Sequence, residues 1–121
     1  IHRDLRINTE ILLKLMRNPV LSRSIEYADN RISLYAAQYG KCAVTGRELE
    51  FDEIHCHHKL PVENGGTDVY ANLVIVHKDV HKLIHATQQE TIDWYMKRLD
   101  LDSAMRKKLN RLRQMAGNAP I

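Results

Sequence analysis

The sequence has no long hydrophobic run and few cysteines. No apolar stretch in its 121 residues is long enough to span a membrane, and its start lacks the pattern of a signal peptide. Two cysteines, Cys42 and Cys56, are too few for a disulfide scaffold and favour a reducing, cytoplasmic location. The chain begins at Ile1 rather than Met, so a fragment or a processed form is one interpretation. We therefore expect one globular domain and no membrane partner.

A large excess of charge of one sign is also missing. The net charge is +3, but it is distributed unevenly along the chain. Residues 1–40 carry +2, residues 41–87 carry −2 and residues 88–121 carry +3. If the partner is a polyanion, the basic flanks and a metal ion must attract it. A balance of +3 is equally compatible with solubility alone, so charge does not identify the function.

Two helices are expected before residue 41. The first covers residues 10–17 and ends at Asn18-Pro19, because the residue before proline is pushed out of the helical region. The second is long, from about Pro19 to Tyr39, and stops at Gly40. Its apolar seam should brace the next segment, although a coiled-coil dimer is an alternative. The seam residues are Leu21, Ile25, Ala28, Ile32, Tyr35 and Tyr39.

From Lys41 the periodicity changes from helical to alternating. Residues 54–60 and 73–76 predict two strands, and the loop between them contains Asn64-Gly65-Gly66. Strands joined in this way form an antiparallel hairpin. Asp79 should cap a helix that runs to His85. The centre of the chain is therefore strand, loop, strand, helix.

Two further helices are expected near the end of the chain. A capping box from Thr87 to Glu90 would begin the first, and Asp102 or Ser103 would begin the second. The buried stripe of the last helix should be Met105, Leu109, Leu112 and Met115, with basic residues, including Arg113, on its other sides. The predicted fold class is α+β: a two-stranded antiparallel hairpin plus a helix, flanked by long N-terminal and C-terminal helices. We expect one compact domain with a helical brace at 1–40, a central finger at 41–87 and basic helices at 88–121.

Six of the seven histidines lie between His55 and His85. His81 and His85 are four residues apart on a predicted helix and so point the same way. With His57 on the facing strand they could hold one divalent metal ion and leave positions open for water or a phosphate oxygen. A single histidine would more simply be a surface residue, but a cluster favours a site. The ion is open among Zn²⁺, Ni²⁺, Mn²⁺ and Mg²⁺, although imidazole suits Zn²⁺ and Ni²⁺ better than Mg²⁺.

The remaining polar residues of the centre have weaker signals. His58 follows His57 and should point to the other face of the strand, away from the same ion. His55 shares a face with His57 and could lie behind the ligands or face a substrate. Lys59 and Lys82 could contact phosphates, but solvated lysines are an equal interpretation. A structural zinc held by Cys42, Cys56 and His77 is an alternative to two core cysteines, although closed zinc sites need four ligands.

Five segments carry a family resemblance: Tyr39-Gly40-Lys41-Cys42-Ala43-Val44-Thr45-Gly46, His57-His58-Lys59-Leu60-Pro61, Gly65-Gly66-Thr67-Asp68, Asn72-Leu73 and Val80-His81-Lys82-Leu83-Ile84-His85. Together they resemble the C-terminal HNH endonuclease domain of group II intron reverse transcriptase/maturases. Residues 109–113, 116–117 and 120–121 resemble the end of those proteins.

The resemblance implies an HNH (His-Me finger) ββα-metal core and a function. The residue equivalent to His58 is the general base of the family, which suits an imidazole that titrates near pH 7. The residue equivalent to Asn72 ties down the loop and helps to orient the base. The metal stabilises the leaving 3′ oxygen. The implied activity is nicking of one DNA strand, after which the new 3′-hydroxyl primes reverse transcription of intron RNA by a reverse transcriptase domain absent from this chain.

Other interpretations share part of this pattern. The paired histidines at 57–58 and the spacing of His81 and His85 also resemble DNase-type bacteriocins and free-standing HNH nucleases. A metal-stabilised DNA-binding module without cleavage is a third interpretation, but binding alone does not need His58. Many HNH fingers also bind a structural zinc through four cysteines. Here only Cys42 fits, and three other residue types occupy the remaining positions, which argues against that zinc.

Overall fold

The computed structural model describes residues 7–121, so the first six residues of the predicted 1–40 brace lie outside the described part. The architecture is α+β: a two-stranded antiparallel hairpin is preceded and followed in the chain by helices. This confirms the predicted fold class. Within residues 7–121 no helix is both long and apolar enough to cross a membrane. The elements are α1 (Thr9–Arg17), α2 (Ile25–Ala37), β1 (Ile54–His58), β2 (Leu73–His77), α3 (Lys78–His85), α4 (Gln89–Leu99) and α5 (Ser103–Met115).

The register of the hairpin decides which side chains share a face. His57 pairs with Val74, and His58 pairs with Leu73. Opposed residues of an antiparallel pair point to the same side of the sheet, and successive residues point to opposite sides. His57 and His58 therefore project from opposite faces. The strand ends at His58, two residues earlier than predicted, because the backbone N–H of Leu60 donates to the Asn72 side chain instead of extending the ladder.

Helix α2 begins later than the sequence pattern predicts. Its N-cap is Ser24, whose hydroxyl oxygen accepts a hydrogen bond from the backbone N–H of Tyr27 at 3.0 Å. A capping hydroxyl satisfies an orphan donor of the first turn, so the helix starts at Ile25 and not near Pro19. The predicted seam is wrong at this end, because Leu21 is 91% exposed and Ile25 is 81% exposed.

The buried side of α2 differs from the predicted seam. Tyr27, Leu34 and Tyr35 are buried, whereas Tyr39 is exposed. Tyr35 joins the cluster that packs α1 on α2, and Tyr27 joins the main core with the hairpin. The helix therefore packs on the hairpin through Tyr27 and Leu34, which lie outside the predicted seam, whereas Tyr35 of the seam is buried against α1.

The N-terminus of α3 is capped by a histidine. His77 is the N-cap, and its Nδ1 accepts a hydrogen bond from the backbone N–H of Asp79 at 3.0 Å. The predicted cap, Asp79, lies instead in the first turn, where a carboxylate interacts favourably with the helix dipole.

Of the last two helices, α5 begins as predicted and α4 does not. Gln88 is the N-cap of α4 and makes no side-chain capping bond, so the capping box expected from Thr87 to Glu90 does not form. Helix α5 begins as predicted, because the carboxylate of Asp102 accepts a hydrogen bond from the backbone N–H of Met105 at 2.9 Å.

Helix α3 lies at the centre of the packing, in contact with the sheet, α4 and α5. The main core joins these elements with α2. Burial of such apolar side chains stabilises the fold by roughly 1.5–3 kcal/mol each. The most deeply buried members are Ile75, Val76, Val80, Leu83, Ile84 and Leu109.

The C-terminal end of α3 is closed by a buried arginine. Arg113 is 3% exposed, and its guanidinium donates to the carbonyl oxygens of Leu83, Ala86 and Ala119. The last carbonyls of a helix have no partner within the helix and need donors when they are buried. The sequence pattern places Arg113 outside the buried stripe of α5, but the structure buries it. Burial lowers the pKa of this guanidinium.

The C-terminal tail adds a second donor to the same helix end. The side-chain amide of Asn118 donates to the carbonyl oxygen of Ile84 at 2.8 Å. Arg113 and Asn118 together donate to the carbonyl oxygens of Leu83, Ile84 and Ala86, around the last residue of α3. The end of the helix is thus fixed by residues about thirty positions further along the chain.

Replacing Arg113 with methionine should destabilise the fold strongly. The change Arg113→Met keeps most of the volume but leaves buried carbonyls unpaired, which should cost about 2–4 kcal/mol in the free energy of unfolding. Urea denaturation measures this directly. The matched control is Arg111→Met on the exposed side of α5, which should change stability by about 0.5 kcal/mol or less. Equal effects of the two changes would contradict the assigned role of Arg113.

Candidate metal centre and active site

Three histidines converge where α3 packs on the sheet. His57 comes from β1, and His81 and His85 come from successive turns of α3. One nitrogen from each ring lies within 4.8 Å of the others. The three ring centroids are 5.0–5.1 Å apart, with edge-to-face orientations. The structure thus brings together the three residues predicted as metal ligands. We call them the histidine triad.

His57 has a buried nitrogen without a hydrogen-bond partner. The residue is 1% exposed, and no group in residues 7–121 bonds to its Nε2. An unsatisfied buried polar atom costs about 1–3 kcal/mol, so its presence in a folded protein requires a reason. A metal ion shared with His81 and His85 would use this lone pair. The donor set of the triad therefore fits a divalent ion.

Burial keeps the triad neutral. Desolvation, and then the neighbouring imidazoles, lower the pKa of His57 to about 3 and that of His81 to about 4. Desolvation also lowers the pKa of His85. Metal binding requires the unprotonated ring. At neutral pH all three rings are in the form that binds an ion.

His55 contacts one member of the triad, His81. Its Nδ1 lies 2.8 Å from Nδ1 of His81, and the two rings pack edge to face at 5.1 Å. This contact occupies one nitrogen of His81 and leaves Nε2 for an ion, in the way that partners behind a metal ligand commonly fix its orientation. His55 therefore lies behind a candidate ligand, one of the two positions considered for it from the sequence.

His77 does not contribute to a metal site. Its Nδ1 caps α3, and its Nε2 pairs with Glu53 at 3.0 Å. Cys42 is buried, and its sulfur accepts a hydrogen bond from the backbone N–H of His77 at 3.3 Å. In the part of the chain that the structure describes, the triad forms a candidate ligand group, and Cys42, Cys56 and His77 do not. The alternative of a structural zinc at these three residues is wrong.

His58 lies on the opposite face of β1 and contacts a carboxylate. Its Nε2 is 2.8 Å from Oδ1 of Asp68. The ring stacks on Tyr27, with centroids 5.5 Å apart and 17° between the planes. The hydroxyl of Ser24 donates to Oδ2 of Asp68 at 2.6 Å. The hydrogen bonds from His58 and then Ser24 lower the pKa of Asp68, so its carboxylate is ionised at neutral pH.

Sequence reasoning did not single out Asp68. The contact with His58 crosses the hairpin loop, and no spacing rule links residues ten positions apart in a loop. The available signal was that Asp68 ends the Gly65-Gly66-Thr67-Asp68 segment of the resemblance. Ser24 was missed as well, since its position depends on where α2 begins.

The triad and His58 border one cleft of about 460 Å³. The sheet has two strands, so one edge of β1 has no neighbouring strand and side chains from both faces reach it. Other cleft residues bring basic, aromatic and acidic groups to the same space. They include Arg23, Tyr27, Arg31, His55 and Glu63. The cleft can therefore hold a polar substrate between a metal site and an imidazole.

Asn72 fixes the loop of the hairpin. Its Oδ1 accepts a hydrogen bond from the backbone N–H of Leu60 at 2.9 Å, and its Nδ2 donates to the carbonyl oxygens of Leu60 and Thr67. Gly66 passes so close to Leu60 that an added Cβ would lie 1.8 Å from its carbonyl oxygen. The amide holds the loop that carries Asp68 and has no hydrogen bond to His58 within the described residues.

The two candidate phosphate-binding lysines do not line the histidine cleft. Lys82 is exposed on α3, and Lys59 is half-buried in a separate groove with Lys108 and Arg111 of α5. A direct contact of either lysine with a substrate in the cleft has no support in this geometry.

Acid should destabilise the metal-free fold through His57. The pKa of His57 is about 3 in the folded protein and about 6.5 in the unfolded chain. The unfolded chain therefore binds this proton first, and stability is lost as pH falls below about 6.5. Between about pH 6.5 and 5, the free energy of unfolding should fall by about 2 kcal/mol from His57 alone. Urea titrations in EDTA measure this. The variant His57→Leu should lose that part of the pH dependence, and an unchanged dependence would contradict it.

Comparisons with known proteins single out the central segment. Neither the search of curated proteins nor the search of solved structures found a match. The model of one protein family, described as HNH endonuclease, matches residues 41–87. This segment is less than half of the chain, and it contains β1, β2, α3 and the whole triad. Residues 41–87 are thus similar to the HNH endonuclease family, and the segment has the strand, strand, helix order that the resemblance implies.

Proposed function

We propose that this protein is a metal-dependent endonuclease that hydrolyses phosphodiester bonds of DNA and nicks one strand. The observation that carries the proposal is the convergence of three neutral imidazoles around the unpartnered Nε2 of His57, beside a cleft that His58 also borders. The family match to residues 41–87 supports a nuclease or nucleic-acid-binding function in general.

Each histidine has a distinct role in the proposed reaction. His57, His81 and His85 would hold one divalent ion, with positions left open for water or a phosphate oxygen. A bound ion would supply charge stabilisation at the leaving 3′ oxygen. His58 lies outside the ligand set and takes a proton from the attacking water. The products carry a 5′-phosphate and a 3′-hydroxyl.

The surrounding segments support this site. Asn72 holds the loop in place through backbone groups, so we assign it a positioning role. We assign a bracing role to the flanking helices, in support of which α2 packs on the hairpin and Arg113 of α5 bonds to the end of α3. Their basic side chains add general attraction for a polyanion, which weakens as salt rises.

The biological setting that we propose is target-primed reverse transcription by a group II intron. Its support is the resemblance of residues 39–46 and of the tail after residue 109 to maturases. In that setting the 3′-hydroxyl left by the nick primes synthesis on intron RNA by a separate reverse transcriptase domain. Base pairing with the RNA would then supply much of the sequence specificity. A free-standing or bacteriocin-like DNase would use the same chemistry without these partners.

The triad should bind one divalent ion per chain. Isothermal titration of the purified protein with Zn²⁺ or Ni²⁺ is expected to show this stoichiometry. Because His81 supplies one of three ligands, His81→Ala should weaken binding by about 10-fold to 100-fold or more. The matched control is Cys42→Ala, which removes a buried potential ligand outside the triad and should leave the affinity unchanged. Equal losses in both variants would contradict the assignment.

The nuclease proposal is tested by nicking of supercoiled plasmid. The protein is assayed in EDTA and then with Mg²⁺, Mn²⁺, Ni²⁺ and Zn²⁺ in turn. We expect metal-dependent conversion to the nicked circle, and a fall of about 10²-fold or more in rate for His58→Ala, because general bases contribute about this much. Metal and DNA binding should be retained in that variant. An inactive wild-type protein that still binds metal and DNA would instead indicate a binding module without cleavage.

A further inference from the structure

We propose that Asp68 is the positioning residue of His58, and that it makes Nδ1 the nitrogen that accepts the proton from the attacking water. The inference rests on the proposed function and adds to it a residue and an atom. Its basis is the geometry of the contacts among Ser24, His58 and Asp68, which we call the Asp68 network.

The first step concerns the tautomer of His58. An ionised carboxylate can only accept hydrogen bonds. Oδ1 of Asp68 lies 2.8 Å from Nε2 of His58, so Nε2 must carry the hydrogen. A neutral imidazole has one N–H, and its other nitrogen then presents a lone pair. In this contact the lone pair is on Nδ1.

The second step concerns the rigidity of the carboxylate. Ser24 donates to Oδ2 of Asp68, and the same hydroxyl caps α2. The side-chain amide of Asn30 donates to the backbone carbonyl of Asp68 at 2.8 Å. Both donors belong to α2 or its cap. The carboxylate is therefore fixed to a helix by its side chain and its backbone, although it lies in a loop.

The third step concerns the ring itself. Tyr27 stacks on the ring of His58, and the Tyr27 hydroxyl donates to the carbonyl oxygen of Cys56 at 3.1 Å. Tyr27 is thus tied to the strand that carries His58. With one face of the ring covered and Nε2 bonded, rotation of the ring would break both contacts. The imidazole is held in one orientation before any substrate binds.

The fourth step concerns the free nitrogen. Among residues 7–121, Nδ1 of His58 has no hydrogen-bond partner, and the ring borders the cleft that contains the triad. Asn72 bonds to backbone groups of the loop and not to the ring. Asn72 therefore positions the loop, and Asp68 positions the imidazole of His58.

The proton balance of the reaction follows. One O–H proton of the attacking water goes to Nδ1, while the water oxygen forms a bond to phosphorus and the bond from phosphorus to the 3′ oxygen breaks. The leaving oxygen takes a proton from solvent, and the imidazolium of His58 later returns its proton to solvent. Asp68 stabilises the imidazolium that forms, as a carboxylate does for histidine in hydrolases.

The tautomer can be measured without any activity. Two-dimensional ¹⁵N NMR of the full chain distinguishes a protonated ring nitrogen from an unprotonated one. We expect Nε2 of His58 to be protonated and Nδ1 to be unprotonated. The His58→Ala variant serves to assign the signals of this ring. A hydrogen on Nδ1 in the wild-type protein would overturn the proposal. This measurement does not depend on DNA cleavage. Failure of the positioning role of Asp68 is therefore distinguishable from failure of the proposed function.

The kinetic test uses Asp68→Asn. The amide can present an N–H to Nε2 and so favour the wrong tautomer. The turnover number should fall by roughly 10²–10⁴-fold while KM and metal affinity are unchanged. The matched control is Asp52→Asn, at an exposed aspartate, which should leave all three quantities unchanged. An unchanged turnover number in Asp68→Asn, or a loss of metal affinity equal to the loss of rate, would overturn the positioning role.

Discussion

The candidate metal site depends on one buried imidazole: His57 is neutral, and its Nε2 has no hydrogen-bond partner among the described residues. Such a group destabilises a fold unless something else uses its lone pair. The hairpin presents it from one face of β1, and α3 brings His81 and His85 to the same point. The apolar core beneath α3 provides the stability that offsets this local cost. The hairpin and α3 thus contribute to both the site and the core.

The second requirement is a short helix held firmly at both ends. Helix α3 has eight residues, a length at which an isolated helix is not stable in water. His77 caps its start, and Arg113 with Asn118 satisfies the carbonyls at its end. The partners at the end of α3 come from residues beyond the central segment 41–87. The flanks supply the polar partners that the segment lacks.

The sequence predicted the placement of the histidines, which follows local spacing rules, but missed several helix caps and the contacts between distant residues. The i, i+4 spacing of His81 and His85 and the alternation of His57 and His58 along a strand are local, and the structure places these side chains accordingly. The start of α2 was misplaced because a capping hydroxyl at Ser24 overrides an apolar periodicity that includes the exposed Leu21. Asp68 and Arg113 act on groups ten and about thirty residues away, and no periodicity encodes such contacts.

His57 and His58 lie on opposite faces of one strand, so the candidate metal ligands and the proposed base have different supporting contacts. Ions differ in radius, and their distances to ligands range from about 2.0 Å for zinc and nitrogen to longer values for larger ions. Two of the three candidate ligands sit on α3, so a small shift of that helix can accommodate a different ion. The ring of His58 is tied to α2 and does not share that shift. In the proposed mechanism, exchange of one metal for another would therefore change the ligand geometry more than the position of the proposed base.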